Sequence, residues 1–194
     1  MSISSKDKPY LKALILAGGN GKRLKESTTD SNKCMLKFGD KYLIQYSLDN
    51  AVKLDVTEIV IVVGYLAEQI INEFGNCYRG KKIRYAIQKQ QKGLVDAISC
   101  AQNFIGGSDY ILLLGDEFLS ETEHEKMIEK FYKNNSFAIC GMIEVEDRSQ
   151  ISKTYSILYN NENAQILRLI EKPDFPQNNL MGTGNIVFKN QIFN

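Results

Sequence analysis

Apolar residues in this chain gather in short continuous runs, separated by amphipathic stretches a few turns long, and the alternation holds through its first two thirds. Ile59-Val60-Ile61-Val62-Val63 is the plainest run: every residue is β-branched and none is polar, as in a strand buried on both faces. Such runs predict strands over 11–17, 58–63, 83–88 and 110–114. Between and after them, helical spacing of apolar positions predicts helices over 42–54, 66–75, 93–104 and 122–134. Beyond about residue 136 the pattern changes to strand-like segments at 137–145, 155–159, 165–171 and 184–188, with Asn160-Asn161-Glu162-Asn163 as a hairpin turn signal. The expected architecture is α/β: a mostly parallel sheet with helices on both faces over 10–135, and a β-rich extension over 136–194 forming one wall of a cleft. No repeat or linker splits 1–194 into separate domains.

Ligands of open α/β sheets sit at the carboxyl ends of the strands, so the loops that follow strands matter most. The first such loop is Gly18-Gly19-Asn20-Gly21-Lys22-Arg23-Leu24, with Asn32-Lys33 beyond it. Glycines let backbone N–H groups face phosphate oxygens closely, and Arg23 and Lys33 add full positive charges. It is neither of two common phosphate loops. Gly21-Lys22 is followed by Arg23 rather than Ser or Thr, and Leu24 stands where a dinucleotide fingerprint needs its third glycine.

Three further places carry candidate chemistry. Leu112-Leu113-Leu114-Gly115-Asp116 ends a buried strand with a carboxylate, and Mg²⁺ is commonly held by one or two carboxylates plus substrate phosphates. Gln88, with Gly93-Leu94 after a polar loop, offers an amide that both donates and accepts, suited to a pyrimidine edge. Glu171-Lys172-Pro173 supplies a carboxylate for sugar hydroxyls beside a point positive charge for a phosphate, and Thr183-Gly184 is expected to open the next strand.

Composition narrows the choices. A net charge of +1 from 24 basic and 23 acidic residues, evenly mixed, provides no electrostatic footprint for a nucleic acid or an acidic membrane. Cys34, Cys77, Cys100 and Cys140 lack the spacing of a zinc or redox motif and are expected as reduced thiols. The first residues lack the apolar core of a signal peptide and no run reaches a membrane span, so a cytoplasmic protein is expected. The single histidine, His124, among Glu121, Glu123 and Glu125, reads as a solvated helix start and leaves no basis for a histidine triad.

Taken in order, these elements resemble the sugar-1-phosphate nucleotidylyltransferases, the family of glucose-1-phosphate thymidylyltransferases and uridylyltransferases. The resemblance runs over about residues 10 to 190 and rests on Leu16 to Leu24, Lys33, Gln88, Gly93-Leu94, Gly115-Asp116, Glu171-Lys172-Pro173 and Thr183-Gly184. It implies a Rossmann-like nucleotidyltransferase fold and Mg²⁺-dependent transfer of a nucleotidyl group, from dTTP or UTP, to a sugar 1-phosphate such as glucose 1-phosphate. By the resemblance Arg23, Lys33 and Asp116 are catalytic, with Asp116 holding the metal. Leu16, Ala17, Gly18, Gly19, Gly21, Gln88, Gly93 and Leu94 bind the nucleotide; Glu171, Lys172 and Gly184 bind the sugar phosphate. The sugar and the oligomeric state, a homo-oligomer included, stay open.

Several positions depart from the family pattern. Glu26 stands where proline is usual, Lys22 where Thr is common, Asn32 where Pro or Ser precedes the lysine, and Tyr155-Ser156 where Tyr-Gly is frequent. A second metal-binding Asp, carried by family members further along than Asn194, is not within this sequence; Glu117 is a weak substitute. Two alternatives follow: a molybdenum-cofactor-type guanylyltransferase, and a nucleotide or nucleotide-sugar binding module without turnover.

Overall fold

The computed structural model describes residues 10–19 and 31–193. In chain order these form β1 (Leu11–Ala17), β2 (Lys37–Phe38), β3 (Lys41–Tyr42), α1 (Leu43–Lys53), β4 (Ile59–Val63), α2 (Ala67–Phe74), β5 (Cys77–Tyr78) and β6 (Lys81–Ile87). There follow α3 (Leu94–Cys100), α4 (Gln102–Ile105), β7 (Asp109–Leu114), α5 (His124–Lys133), β8 (Ala138–Glu144), β9 (Tyr155–Tyr159), β10 (Ile166–Glu171) and β11 (Leu180–Phe188). β2 and β3 make a separate short ribbon.

The main sheet runs β10-β9-β11-β7-β1-β4-β6-β5, with β8 pairing to β11. β7, β1, β4 and β6 are mutually parallel along their contacts. β1 is the pivot: the chain winds outward from it through β4 and β6, then returns to place β7 on its other side. The carboxyl ends of β1 and β7 are therefore where the winding direction reverses, the crevice in which open α/β sheets take ligands. From β7 outward, β11, β8, β9 and β10 pair antiparallel, so the expected change from helix-covered parallel core to β-rich extension is present.

Alternate residues of the central strands feed two cores, as the two-residue side-chain period requires. Ala13, Ile15, Ile59, Ile61, Ile111 and Leu113 pack on one face with Leu48 of α1, Ile70 of α2 and Phe131 of α5. Leu14, Leu16, Val60, Val62 and Leu112 pack on the other with Ala97 and Ile98 of α3 and Ile105 of α4. The continuous run in β4 is buried at every position because both faces are covered.

Several expectations need correction. The helix expected over 93–104 is two pieces, because the turn tightens at Ala101, whose N–H bonds to the Ile98 carbonyl three residues back. β11 starts at Leu180 rather than 184, so Thr183-Gly184 lies inside the strand; its first residues are held by non-local ladders to β8 and β9 that a Gly-Thr-Gly sequence does not announce. His124 does open α5, but it is not solvated: it is 5% exposed, and its Nε2 lies 2.8 Å from Asn185 Oδ1 on β11. Burial against the sheet, not the neighbouring glutamates, sets its environment.

The join between the two parts of the sheet depends on Gly184. A Cβ there would lie 2.2 Å from Leu114 Cγ, so β11 reaches the end of β7 only because the residue has no side chain. Gly184→Ala is expected to cost about 1–3 kcal/mol through this overlap, read as a lower urea midpoint at unchanged slope. A second prediction concerns acid. Burial lowers the His124 pKa, with Asn185 opposing the shift more weakly. The unfolded chain thus takes up the proton first, and the stability contributed by the neutral ring is complete above about pH 6.5 and lost as pH falls through the lowered folded value. Cooling of the melting midpoint between about pH 7.5 and about pH 5.5 should accordingly be larger in the wild type than in His124→Gln.

Candidate active site

At the end of β1, Leu16 and Ala17 are buried and their carbonyls are engaged. Leu16 O accepts from Gly115 N at 2.9 Å, and Ala17 O accepts from Asn32 Nδ2 at 3.2 Å. Gly18 is buried and Gly19 exposed, so the chain rises to the surface at the expected phosphate loop. Gly21 and Arg23, with Lys22, Leu24 and Glu26, lie outside the described residues.

The chain returns at Asn32, which is fully buried and uses its whole side chain. Its Nδ2 donates to Ala17 O and, at 2.7 Å, to Tyr65 O; its Oδ1 accepts from Cys34 N at 2.9 Å, capping a short 3-10 turn over Lys33–Met35. Its own N–H donates to Gln69 Oε1 at 2.8 Å. Neither proline nor serine offers this set of bonds, so the departure at this position anchors the residue that follows.

That residue is Lys33, whose Nζ is 2.5 Å from Asp116 Oδ2 across the mouths of β1 and β7. Both side chains are about one-third exposed, at 36% and 32%. Cys34 lies beneath them, its thiol pushed far up by burial and further by the Asp116 charge, which makes it an inert packing group. Leu114 O, just before this turn, accepts from Ser47 Oγ of α1 at 2.8 Å. The structure thus brings Leu16, Ala17, Gly18, Lys33 and Asp116 together.

Gln88 follows β6 on the far side of β4 and is 5% exposed. Its Nε2 donates to Asp96 Oδ2 at 2.7 Å and to Gly93 O at 3.3 Å. A carboxylate only accepts, which fixes the amide nitrogen toward Asp96 and turns Oε1 the other way. Oε1 faces the glycine loop, 2.9 Å from where a Cβ on Gly18 would sit. Gly93, with φ of +108°, adopts a conformation reserved for glycine and starts α3, with Leu94 half exposed beside it. Asp96 was not singled out from the sequence, although an acidic residue in the first turn of a helix three positions after that glycine is a recognisable signal.

Glu171 closes β10 and Lys172 follows it, three strands from β7, or roughly 14 Å at ordinary strand spacing. Glu171 pairs with Tyr155, and Ser156 with Met181, so this row lies level with Gly182, just beyond the end of β7. Both residues are exposed; Lys172 Nζ is 3.2 Å from Glu171 Oε1. Lys172 has φ of +44°, and its N–H donates to Thr154 O at 2.8 Å. This pair borders the same edge of the sheet as Lys33 and Asp116, at a distance. Gly184 offers no free N–H in this arrangement, since it donates to the carboxylate of Glu117 at 3.1 Å. Glu117 therefore points to β11 while Asp116 points to Lys33, and the two carboxylates do not converge on one cation. Among the described residues, no group of three or more His, Cys, Asp and Glu side chains is placed to hold a metal.

Residues 12–194 match the family model for nucleotidyl transferases. A UTP–glucose-1-phosphate uridylyltransferase of Haloferax volcanii is 33% identical over 183 residues, which cover 94% of this chain and 74% of that protein. A glucose-1-phosphate thymidylyltransferase of Streptomyces griseus is 29% identical over 183 residues, again 94% of this chain but 50% of that protein. The crystal structure of a UDP-glucose pyrophosphorylase complexed with UDP-glucose superimposes with a TM-score of 0.83 at 26% identity, over 94% of this chain and 77% of that one. No helix among the described residues is long and apolar enough to cross a membrane. A Rossmann-like sheet whose switch point holds the Lys33–Asp116 pair, and a family match that runs from β1 to the last residue, place this chain in the nucleotidyl transferase family.

Proposed function

We propose that this chain transfers a nucleotidyl group from a pyrimidine nucleoside triphosphate, UTP or dTTP, to a sugar 1-phosphate, of which glucose 1-phosphate is the first candidate. The observation that carries this reading is the Lys33–Asp116 pair at the point where the sheet reverses its winding, beside the end of β1. A lysine and a carboxylate are there side by side at the strand ends where open α/β sheets take their ligands. The names of the Haloferax and Streptomyces relatives support the substrate class.

One carboxylate with no protein cage fits Mg²⁺, a cation that dehydrates reluctantly and takes its remaining ligands from phosphate and water. Asp116 would hold it, and bound there it supplies positive charge to phosphate oxygens. The rest falls to the chain itself. Lys33, beside that carboxylate, would offer its ammonium to the triphosphate. Gly18 and Gly19 let that triphosphate approach the backbone at the end of β1. Gln88 offers Oε1 as an acceptor, which suits the N3–H of uracil or thymine, while Asp96 keeps its N–H groups turned away.

Glu171 and Lys172, at the same sheet edge, would take sugar hydroxyls and the sugar phosphate. An oxygen of that phosphate attacks the α-phosphorus of the triphosphate; the new P–O bond forms as the α–β bridging bond breaks and pyrophosphate leaves. The attacking oxygen is already ionised, so no protein base is needed. The task of the protein is to align two anions that repel each other.

Pyrophosphate release should be measured with Mg²⁺, each common nucleoside triphosphate and a panel of sugar 1-phosphates. Release that needs both a pyrimidine triphosphate and a sugar phosphate is expected; nucleotide binding without release under every combination would instead identify a binding module. Asp116→Asn should lower turnover by about 10²-fold or more while the fold holds. Lys172→Ala is expected to raise the KM for the sugar phosphate and leave that for the triphosphate nearly unchanged; an equal rise in both would remove Lys172 from the acceptor side.

A further inference from the structure

Glu117 follows Asp116 directly, yet its side chain turns away from the Lys33–Asp116 pair and into the sheet junction. Both of its oxygens lie 3.1 Å from Gly184 N, and Oε2 also accepts from Asn185 Nδ2 at 2.7 Å. A Cβ on Gly184 would sit 3.0 Å from that same oxygen, so the glycine is also what lets the carboxylate reach the backbone of β11. Behind Asn185 stands His124, with Nε2 at 2.8 Å from Asn185 Oδ1.

The chemistry of the three groups fixes the direction of every bond. A carboxylate only accepts, so Asn185 must present its nitrogen to Glu117 and its oxygen to His124. That oxygen only accepts, so His124 must carry its proton on Nε2. The result is a single-direction relay, His124 to Asn185 to Glu117, buried at its first two members. It ties α5 and β11 to the one residue between Asp116 and the aromatic cluster of Phe118, Phe38 and Tyr46.

We propose that Glu117 is a positioning residue for Asp116, held by Asn185 and His124, and that this relay fixes the cation-holding carboxylate relative to the acceptor half of the sheet. The proposal rests on the function proposed above for the role of Asp116, but the geometry of the relay is testable apart from it. Glu117 acts through the backbone of its neighbour and is not itself a ligand of the cation.

Because His124 is the only histidine in the chain, the ¹⁵N and ¹H signals of its ring can be read in the intact protein without assignment. The expected result at neutral pH is an Nε2–H ring whose signals move in Glu117→Gln. An Nδ1–H ring, or signals indifferent to Glu117→Gln, would overturn the relay whether or not the protein turns over. The positioning role is then read with Asn185→Ala, which leaves both carboxylates in place. The Mg²⁺ concentration for half-maximal pyrophosphate release should rise about tenfold, with triphosphate affinity measured in EDTA within about twofold of wild type. If the wild type releases no pyrophosphate, the same Mg²⁺ dependence is read on triphosphate binding by calorimetry. An unchanged Mg²⁺ dependence in Asn185→Ala would overturn the positioning role. A large change in Glu117→Gln alone would make Glu117 a direct ligand instead. His124→Gln, which keeps a donor near Asn185, should restore most of the wild-type Mg²⁺ dependence, and His124→Leu should not.

Discussion

Lys33 and Asp116 come from segments 83 residues apart, and their contact at 2.5 Å exists because β1 and β7 lie side by side with both chains leaving in the same direction. A pair one-third exposed contributes at most about 1 kcal/mol to stability, so it cannot be what holds the fold together. The dependence runs the other way: the parallel register of β1 and β7 supplies the two strand ends, and Asn32 and Cys34 seat the lysine above them. The pair then sets one positive charge and one carboxylate side by side at those strand ends, both about one-third exposed. Under the proposed function, a divalent cation at Asp116 would take the place of that lysine.

The antiparallel half of the sheet depends on contacts that only small residues allow. Gly184 lets β11 lie on Leu114, and Gly182 takes the ring of Tyr155, since a Cβ there would fall 2.0 Å from a ring carbon. Tyr155 then donates to Thr183 O at 2.5 Å. Tyr155 also pairs with Glu171 in the next ladder, so the ring that seats β9 on β11 helps set the position of Glu171. The parallel part of the sheet is built by packing on its two faces, whereas the antiparallel part is built by interlocking strands.

Much of this was legible in the sequence because local pattern and tertiary role agree in the first two thirds. The buried run of β4, the glycine loop after β1 and the Gly-Asp end of β7 each announce both an element and its place. What was not legible depends on distant partners. His124 sits among glutamates and reads as solvated, but α5 lays it against Asn185, 61 residues on. Thr183-Gly184 reads as the beginning of a strand because the partners of residues 180–183 lie in β8 and β9. Gln88 was identified, but not the fixed orientation of its amide, which depends on the carboxylate of Asp96. The role of Asn32 lay in three bonds to separate segments, none visible from its neighbours.

We propose that the strand ends of β1 and β7 would receive the triphosphate and its metal, with Asp116 holding the cation in place of Lys33. A crystal structure of this chain with UTP or dTTP and Mg²⁺ tests that directly. The account predicts Asp116 oxygen at about 2.0–2.1 Å from the metal, Lys33 Nζ moved onto a phosphate oxygen, and the base beside Gln88. Nucleotide bound elsewhere, such as the groove between α5 and β8 lined by Met127, Cys140 and Thr183, with the Lys33–Asp116 pair intact, would contradict it.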